Sequence, residues 1–152
     1  MQTLIKPDPR ARAAYDDDLV LWIDGQIQLL VAARYSELDV ENLVGELESM
    51  KHSQAKALKN RLRVVIMHLL KCQFQPDHYK GRWHGTLAEQ RMRLDQLLTN
   101  SPSLRRKVAE FAQYGYPVAV KRAAGETHLP VSAFPTENPY SVEQILDQDF
   151  TP

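Results

Sequence analysis

Apolar residues recur at three- and four-residue steps from Asp39 to Gln73, and this run predicts a single long α-helix. At 100° per residue, Val40, Leu43, Val44, Leu47, Met50, Leu58, Leu62, Val65 and Leu69 fall inside an arc of about 120°. Such a stripe calls for burial. The helix also changes character along its length. Its first half has a polar back of Glu41, Asn42, Glu48, Ser49 and His52, which puts that half on the surface or beyond its neighbours. Around Val64-Val65-Ile66-Met67 it is apolar almost all round, as a helix in the middle of a bundle is.

Three more helices and a tail follow from the punctuation. A first helix runs from Asp16 to Arg34, with Asp16, Asp17 and Asp18 at the positive end of its dipole and Arg34 at the other. Leu19, Trp22, Ile23, Ile27 and Leu30 make its buried stripe. Gly25 costs that helix about 1 kcal/mol relative to alanine, so either packing is close there or the helix is imperfect. Tyr35 to Leu38 turns, Asp39 caps the long helix, and Gln75-Pro76 ends it, because proline disfavours helix in the residue before it. The third helix spans Gly81 to Leu98, with Trp83, Leu87, Leu94, Leu97 and Leu98 on one side. Ser101 and Pro102 supply the N-cap and first position of a fourth, whose stripe is Leu104, Val108 and Phe111 and which Pro117 interrupts near Tyr114. After Gly125 the chain is punctuated by prolines, and Ser141 with Gln144 spells a capping box for a short last helix. The expectation is one all-α domain: a four-helix bundle built on one long central helix. A loose arm covers 1–14, and a C-terminal arm over 126–152 is pinned by Phe134, Tyr140, Ile145, Leu146 and Phe150.

Length and composition narrow the class. With 152 residues, 43% apolar and 25% charged, the chain can bury a core without disulfides or metal. Its longest apolar runs, Val64 to Leu70 and Gln26 to Ala33, fall well short of the roughly 18 residues of a membrane span. Met1 to Tyr15 has four charged residues, two prolines and no apolar core, so it does not read as a secretory signal. The single cysteine, Cys72, suits a reducing cytoplasm.

The order of the strings Tyr15 to Trp22 (YDDDLVLW), Glu37 to Met50 (ELDVENLVGELESM), His68 to Pro76 (HLLKCQFQP), Ser101 to Arg105 (SPSLR) and Leu129 to Phe150 (LPVSAFPTENPYSVEQILDQDF) resembles the bacterial "domain of unknown function 29" family. The resemblance covers about residues 15–152. It implies a helical fold and brings no activity and no catalytic residue. Where that family often has an aromatic after the lysine of the third string, this chain has Cys72.

Charge changes the picture more than composition does. The net charge is zero, yet residues 1–50 carry 4 basic and 10 acidic side chains, residues 51–107 carry 13 and 3, and residues 108–152 carry 2 and 6. Internal neutralisation, together with the dipole of the long helix, accounts for this sorting. The alternative is a nucleic-acid surface in which Lys51, Lys56, Lys59, Arg63, Lys80, Arg82, Arg91, Arg93, Arg105 and Arg106 contact phosphates and Tyr79 or Trp83 stacks on bases. A pI near 7.0 argues against it.

Candidate chemistry is sparse. Glu48 and His52, and His68 and Cys72, are each four apart and so share a helical face. On a continuous helix His52 and His68 stand about 24 Å apart and face different ways. The plain reading of the second pair is an imidazole bonded to a backbone carbonyl beside a buried thiol. The sharper one is a hydrolytic metal site of His68, Cys72 and His84, with His78 nearby, if the third helix folds back. Their spacing matches no compact zinc motif. Cys72 in an apolar stripe has a raised pKa and is inert, and no nucleophile or phosphate-loop motif is present. Glu46 and Glu48, two apart on a helix, point in different directions. What is left is a cofactor-free cytoplasmic interaction module that binds a protein partner or itself. Nucleic-acid binding and metal-dependent hydrolysis are the alternatives.

Overall fold

The long helix forms as one unbroken element, Val40–Phe74, and it dominates the computed structural model, which describes residues 15–75 and 81–152. We label the helices α1 (Leu19–Val31), α2 (Val40–Phe74), α3 (Gly81–Asn100), α4 (Val108–Thr127) and α5 (Val142–Leu146). Short 3-10 turns occupy Tyr35–Glu37, Pro102–Lys107 and Val131–Ala133. There is no strand among the described residues, so the expected all-α architecture on a long central helix is the one that forms. No helix among them is long and apolar enough to cross a membrane. The expected loose arm over 1–14, and His78, Tyr79 and Lys80, lie outside the described residues.

The chain divides into two compact units, Met1–Lys51 and His52–Pro152. The second holds the core. Leu58, Leu62, Val65, Ile66, Leu69 and Leu70 of α2 are sealed from solvent, as the all-round apolar pattern there requires. Leu87, Leu94 and Leu98 of α3 and Val108, Ala112, Tyr116, Ala119, Val120 and Ala123 of α4 close on them. Each large aliphatic side chain buried this way contributes about 1.5–3 kcal/mol. On α4 the buried face mixes small residues, Ala112, Ala119 and Ala123, with the larger Val108, Tyr116 and Val120. Gly115 is tightly packed: an added Cβ would sit 2.9 Å from Cγ of Arg63.

The C-terminal arm carries several buried side chains. Phe134, Tyr140 and Ile145 are buried, and Leu146 and Phe150 pack against the core. The Tyr116 hydroxyl donates to the Pro135 carbonyl at 2.7 Å and the Tyr140 hydroxyl to Gln73 Oε1 at 2.7 Å. Ser141 and Gln144 form the reciprocal capping box, with Ser141 N donating to Gln144 Oε1 at 2.9 Å and Gln144 N to Ser141 Oγ at 3.2 Å.

Three expectations need correction. Pro117 does not interrupt α4, which runs on to Thr127 and past Gly125. Pro117 and Gln113 are both exposed, so the carbonyl that loses its intrahelical donor faces water, while the neighbouring turn buries Tyr116, Ala119 and Val120. Ser101-Pro102 opens a 3-10 turn before the α-helix begins at Val108, and Ser101 makes no side-chain cap bond. The stripe of α1 is not buried: Leu19, Ile23, Ile27 and Leu30 are exposed, and only Trp22 of the expected set is covered.

The two glycines make opposite predictions. Space around Gly25 is open, so Gly25→Ala stabilises by about 1 kcal/mol in denaturant melts followed by helical circular dichroism. Gly115→Ala forces the Arg63 stem aside and destabilises by about 1–3 kcal/mol. Equal effects at the two positions would contradict this packing.

Candidate interaction surface and polar sites

Unit 1 is held by a polar knot rather than by an apolar core. Asp18 caps α1, its carboxylate accepting from Leu21 N at 3.0 Å, and Asp39 stands at the start of α2. The Trp22 indole donates to Asp39 Oδ2 at 3.3 Å, and Asn42 donates to the same oxygen at 2.7 Å. Asp39 N donates to Gln26 Oε1 at 2.9 Å. Tyr15 donates to Glu46 Oε1 at 2.9 Å and meets the Trp22 ring edge-on at 4.9 Å. Among the described residues of this unit only Trp22 and Gln26 are buried, at 1% and 2% exposure. Leu29, Leu38 and Leu43 are half-buried, and most of the other large apolar side chains of the unit face outward. Leu19, Val20, Leu21, Ile23, Ile27, Leu30 and Val31 do so on α1, as do Val40, Val44, Leu47 and Met50 on α2. Leu47 and Met50 are each 63% exposed.

Unit 2 hides its most consequential charge. Arg91 shares a helical face with Leu87, Leu94 and Leu98 and is 2% exposed. Its Nε donates to the Ile145 carbonyl at 2.9 Å, Nη1 to the Phe150 carbonyl at 2.7 Å and Nη2 to the Gln144 carbonyl at 2.8 Å. Burial lowers its pKa and the nearby Asp147 opposes that, but a guanidinium stays charged in proteins. Arg91 is therefore a clasp on the C-terminal arm and leaves the expected basic surface. Of the rest, Lys51, Lys56, Lys59, Arg82, Arg93, Arg105 and Arg106 are exposed. Arg93 pairs with Glu89 at 2.7 Å, and Lys59 lies 4.6 Å over the Phe111 ring. Arg63 is half-buried and lines, with Lys59, Phe111 and Tyr114, a cavity of about 270 Å³.

The proposed metal ligands do not converge. Among the described residues no group of three or more His, Cys, Asp or Glu side chains could hold a metal ion. Cys72 is buried in the core, His84 is exposed and His52 is exposed on the continuous α2. His68 is buried, with Nδ1 2.9 Å from the Val64 carbonyl, the plain reading of that histidine. It lines a second cavity of about 330 Å³ with Lys71, Arg82, Trp83, Thr86 and Glu126. Lys71 is also buried; it pairs with Glu126 at 2.5 Å and lies 4.6 Å over the Trp83 ring. The sequence reading missed this lysine and the clasp. The signal for Arg91 was present, since positions 87, 91, 94 and 98 share one phase.

With this geometry in place, one family model matches: "Domain of unknown function DUF29", over residues 14–151. No curated protein and no solved structure matches the chain.

Replacing Arg91 by methionine leaves three carbonyls of the arm without their donor. The expected loss is about 3 kcal/mol or more in chemical denaturation, with the arm opened to limited proteolysis. A loss under about 1 kcal/mol with the arm still protected would contradict the clasp.

His68 predicts an acid limb. Burial, aided by the Lys71 charge, lowers its pKa below the ordinary 6.5, against the raising effects of the Val64 bond and Glu126. The unfolded chain then binds the proton more readily than the folded one. Its contribution to stability is complete above 6.5 and falls as pH drops from there toward the folded value. Denaturation curves from neutral pH downward show this slope, and His68→Gln flattens it; an unchanged slope in the variant would refute the assignment.

Proposed function

Because the chain belongs to the DUF29 family, whose description assigns no activity, we propose from its own geometry that it works by association. It binds a protein partner or a second copy through the apolar face of α1 and the first half of α2. The observation that supports this reading is the composition of α1 set against its exposure. Nine of the thirteen residues of Leu19–Val31 are apolar and only Asp24 is charged, yet only Trp22 and Gln26 are buried. A helix apolar on all sides is stable when it is enclosed. A helix this short is marginal by itself in water, where isolated helices below about 12–15 residues hardly persist. The exposed face of α2, Val40, Val44, Leu47 and Met50, carries the same unmet burial. The polar knot around Asp39 fixes α1 to the start of α2, so the surface is presented in a set shape and binding need not order it first. The acidic side chains of residues 1–50 would border such an interface and favour a partner with basic groups at its edge.

Light scattering across the micromolar range, with a pull-down from the native lysate, tests the reading. The wild-type protein is expected to show a mass above the 17.4 kDa of one chain or to retain a stoichiometric partner. Ile23→Glu with Ile27→Glu, both at exposed positions, abolishes either by placing charge in a desolvated contact while leaving unit 2 folded. A strict monomer that retains nothing, or binding that survives the double variant, counts against it.

A further inference from the structure

The cavity of about 330 Å³ is built where three helices of unit 2 meet, and its walls are polar in a stretch of α2 that is otherwise sealed. His68 and Lys71 come from α2, Arg82, Trp83 and Thr86 from α3, and Glu126 from α4. Burying an ammonium and an imidazole there gives away stability that apolar residues of similar volume would supply. The side chains are also satisfied in a manner that leaves capacity. Lys71 uses one N–H on Glu126 and lies over Trp83, and an ammonium has three N–H groups. Nδ1 of His68 faces a carbonyl, so it holds the proton and Nε2 keeps its lone pair. Arg82 is exposed and has no ion-pair partner among the described residues. Glu126 is about half exposed, so its side chain can rotate out of the cavity into water.

We propose that this cavity binds a small organic carboxylate, seated between Lys71 and Arg82 in the position that the Glu126 carboxylate now takes on Lys71. Glu126 serves as an internal stand-in: it shows that a carboxylate oxygen is accepted 2.5 Å from the Lys71 nitrogen, and it competes with the ligand for that seat. A carboxylate suits both cations, and a hydroxyl on the same molecule would donate to His68 Nε2. The Trp83 ring supplies an apolar wall for the ligand's carbon atoms. The volume lies at the small end of ligand cavities, which run from about 300 to 1,000 Å³, and so selects small molecules. None of these side chains takes part in the unit 1 surface, and the two proposals stand or fall separately.

The test is calorimetric titration of the full-length chain with acetate, malate, citrate and inorganic phosphate, in the wild type, Glu126→Gln and Arg82→Gln. Thermal melts confirm that each variant is folded; Arg82 and Glu126 lie outside the sealed core. Saturable binding of malate or citrate is expected, several-fold tighter in Glu126→Gln because the competitor loses its charge. Arg82→Gln is expected to weaken it roughly tenfold, the effect of one charge-assisted hydrogen bond. Three results would overturn the proposal: no saturable carboxylate binding in wild type and Glu126→Gln alike, phosphate binding as tightly as malate, or an Arg82→Gln affinity equal to wild type.

Discussion

An amphipathic helix of 35 residues carries one apolar stripe from end to end, but the cover over α2 changes along the way. Leu58, Leu62, Val65 and Leu69 are sealed, whereas Val40, Val44, Leu47 and Met50 of the same stripe face outward. Apolar area removed from water stabilises by about 25 cal/mol per Å², and area left in water gains nothing. The two ends of one helix therefore stand in different thermodynamic positions. Unit 2 is closed around its own core. Unit 1 leaves apolar surface in water, and the proposed association would bury it.

Two polar fixtures set the frame for this. Asp39 gathers Trp22, Gln26 and Asn42, so α1 is oriented by hydrogen bonds where an apolar core would otherwise do the work. Arg91 gathers three carbonyls of the C-terminal arm, which has little regular structure beyond α5 to hold it. Both are directional and both lie at least partly out of water, so they specify geometry and are costly to break. Lys71 with Glu126 and Trp83 is a third polar feature, and it leaves a cavity with unused donors.

What was legible in the sequence was mostly local. The Ser141–Gln144 box depends on a three-residue spacing, and the His68 contact with Val64 on a four-residue one. The core stretch of α2 around Val64-Val65-Ile66-Met67 announced itself by being apolar almost all round. Tertiary partners were less readable. Arg91 has the phase of a core residue and the chemistry of a surface one, and only the carbonyls of residues 144, 145 and 150 reconcile the two. Gly115 makes room for Arg63, 52 positions earlier in the chain, which no spacing rule reaches. The stripe of α1 was read correctly as apolar and wrongly as buried, because periodicity reports which face avoids water and not whether this chain alone covers it. Of the Asp39 knot, Tyr15, Trp22, Asp39, Asn42 and Glu46 fall within two of the strings that carried the family resemblance, and Gln26 lies between those strings.

The central claim is that unit 1 is an incomplete structure awaiting cover. Hydrogen exchange on the protein at a dilution where it is monomeric tests this most directly. The account predicts that the amides of Leu19–Val31 exchange orders of magnitude faster than those of Leu62–Leu70 and become protected once the protein associates. Equal protection of the two segments in the monomer would contradict it.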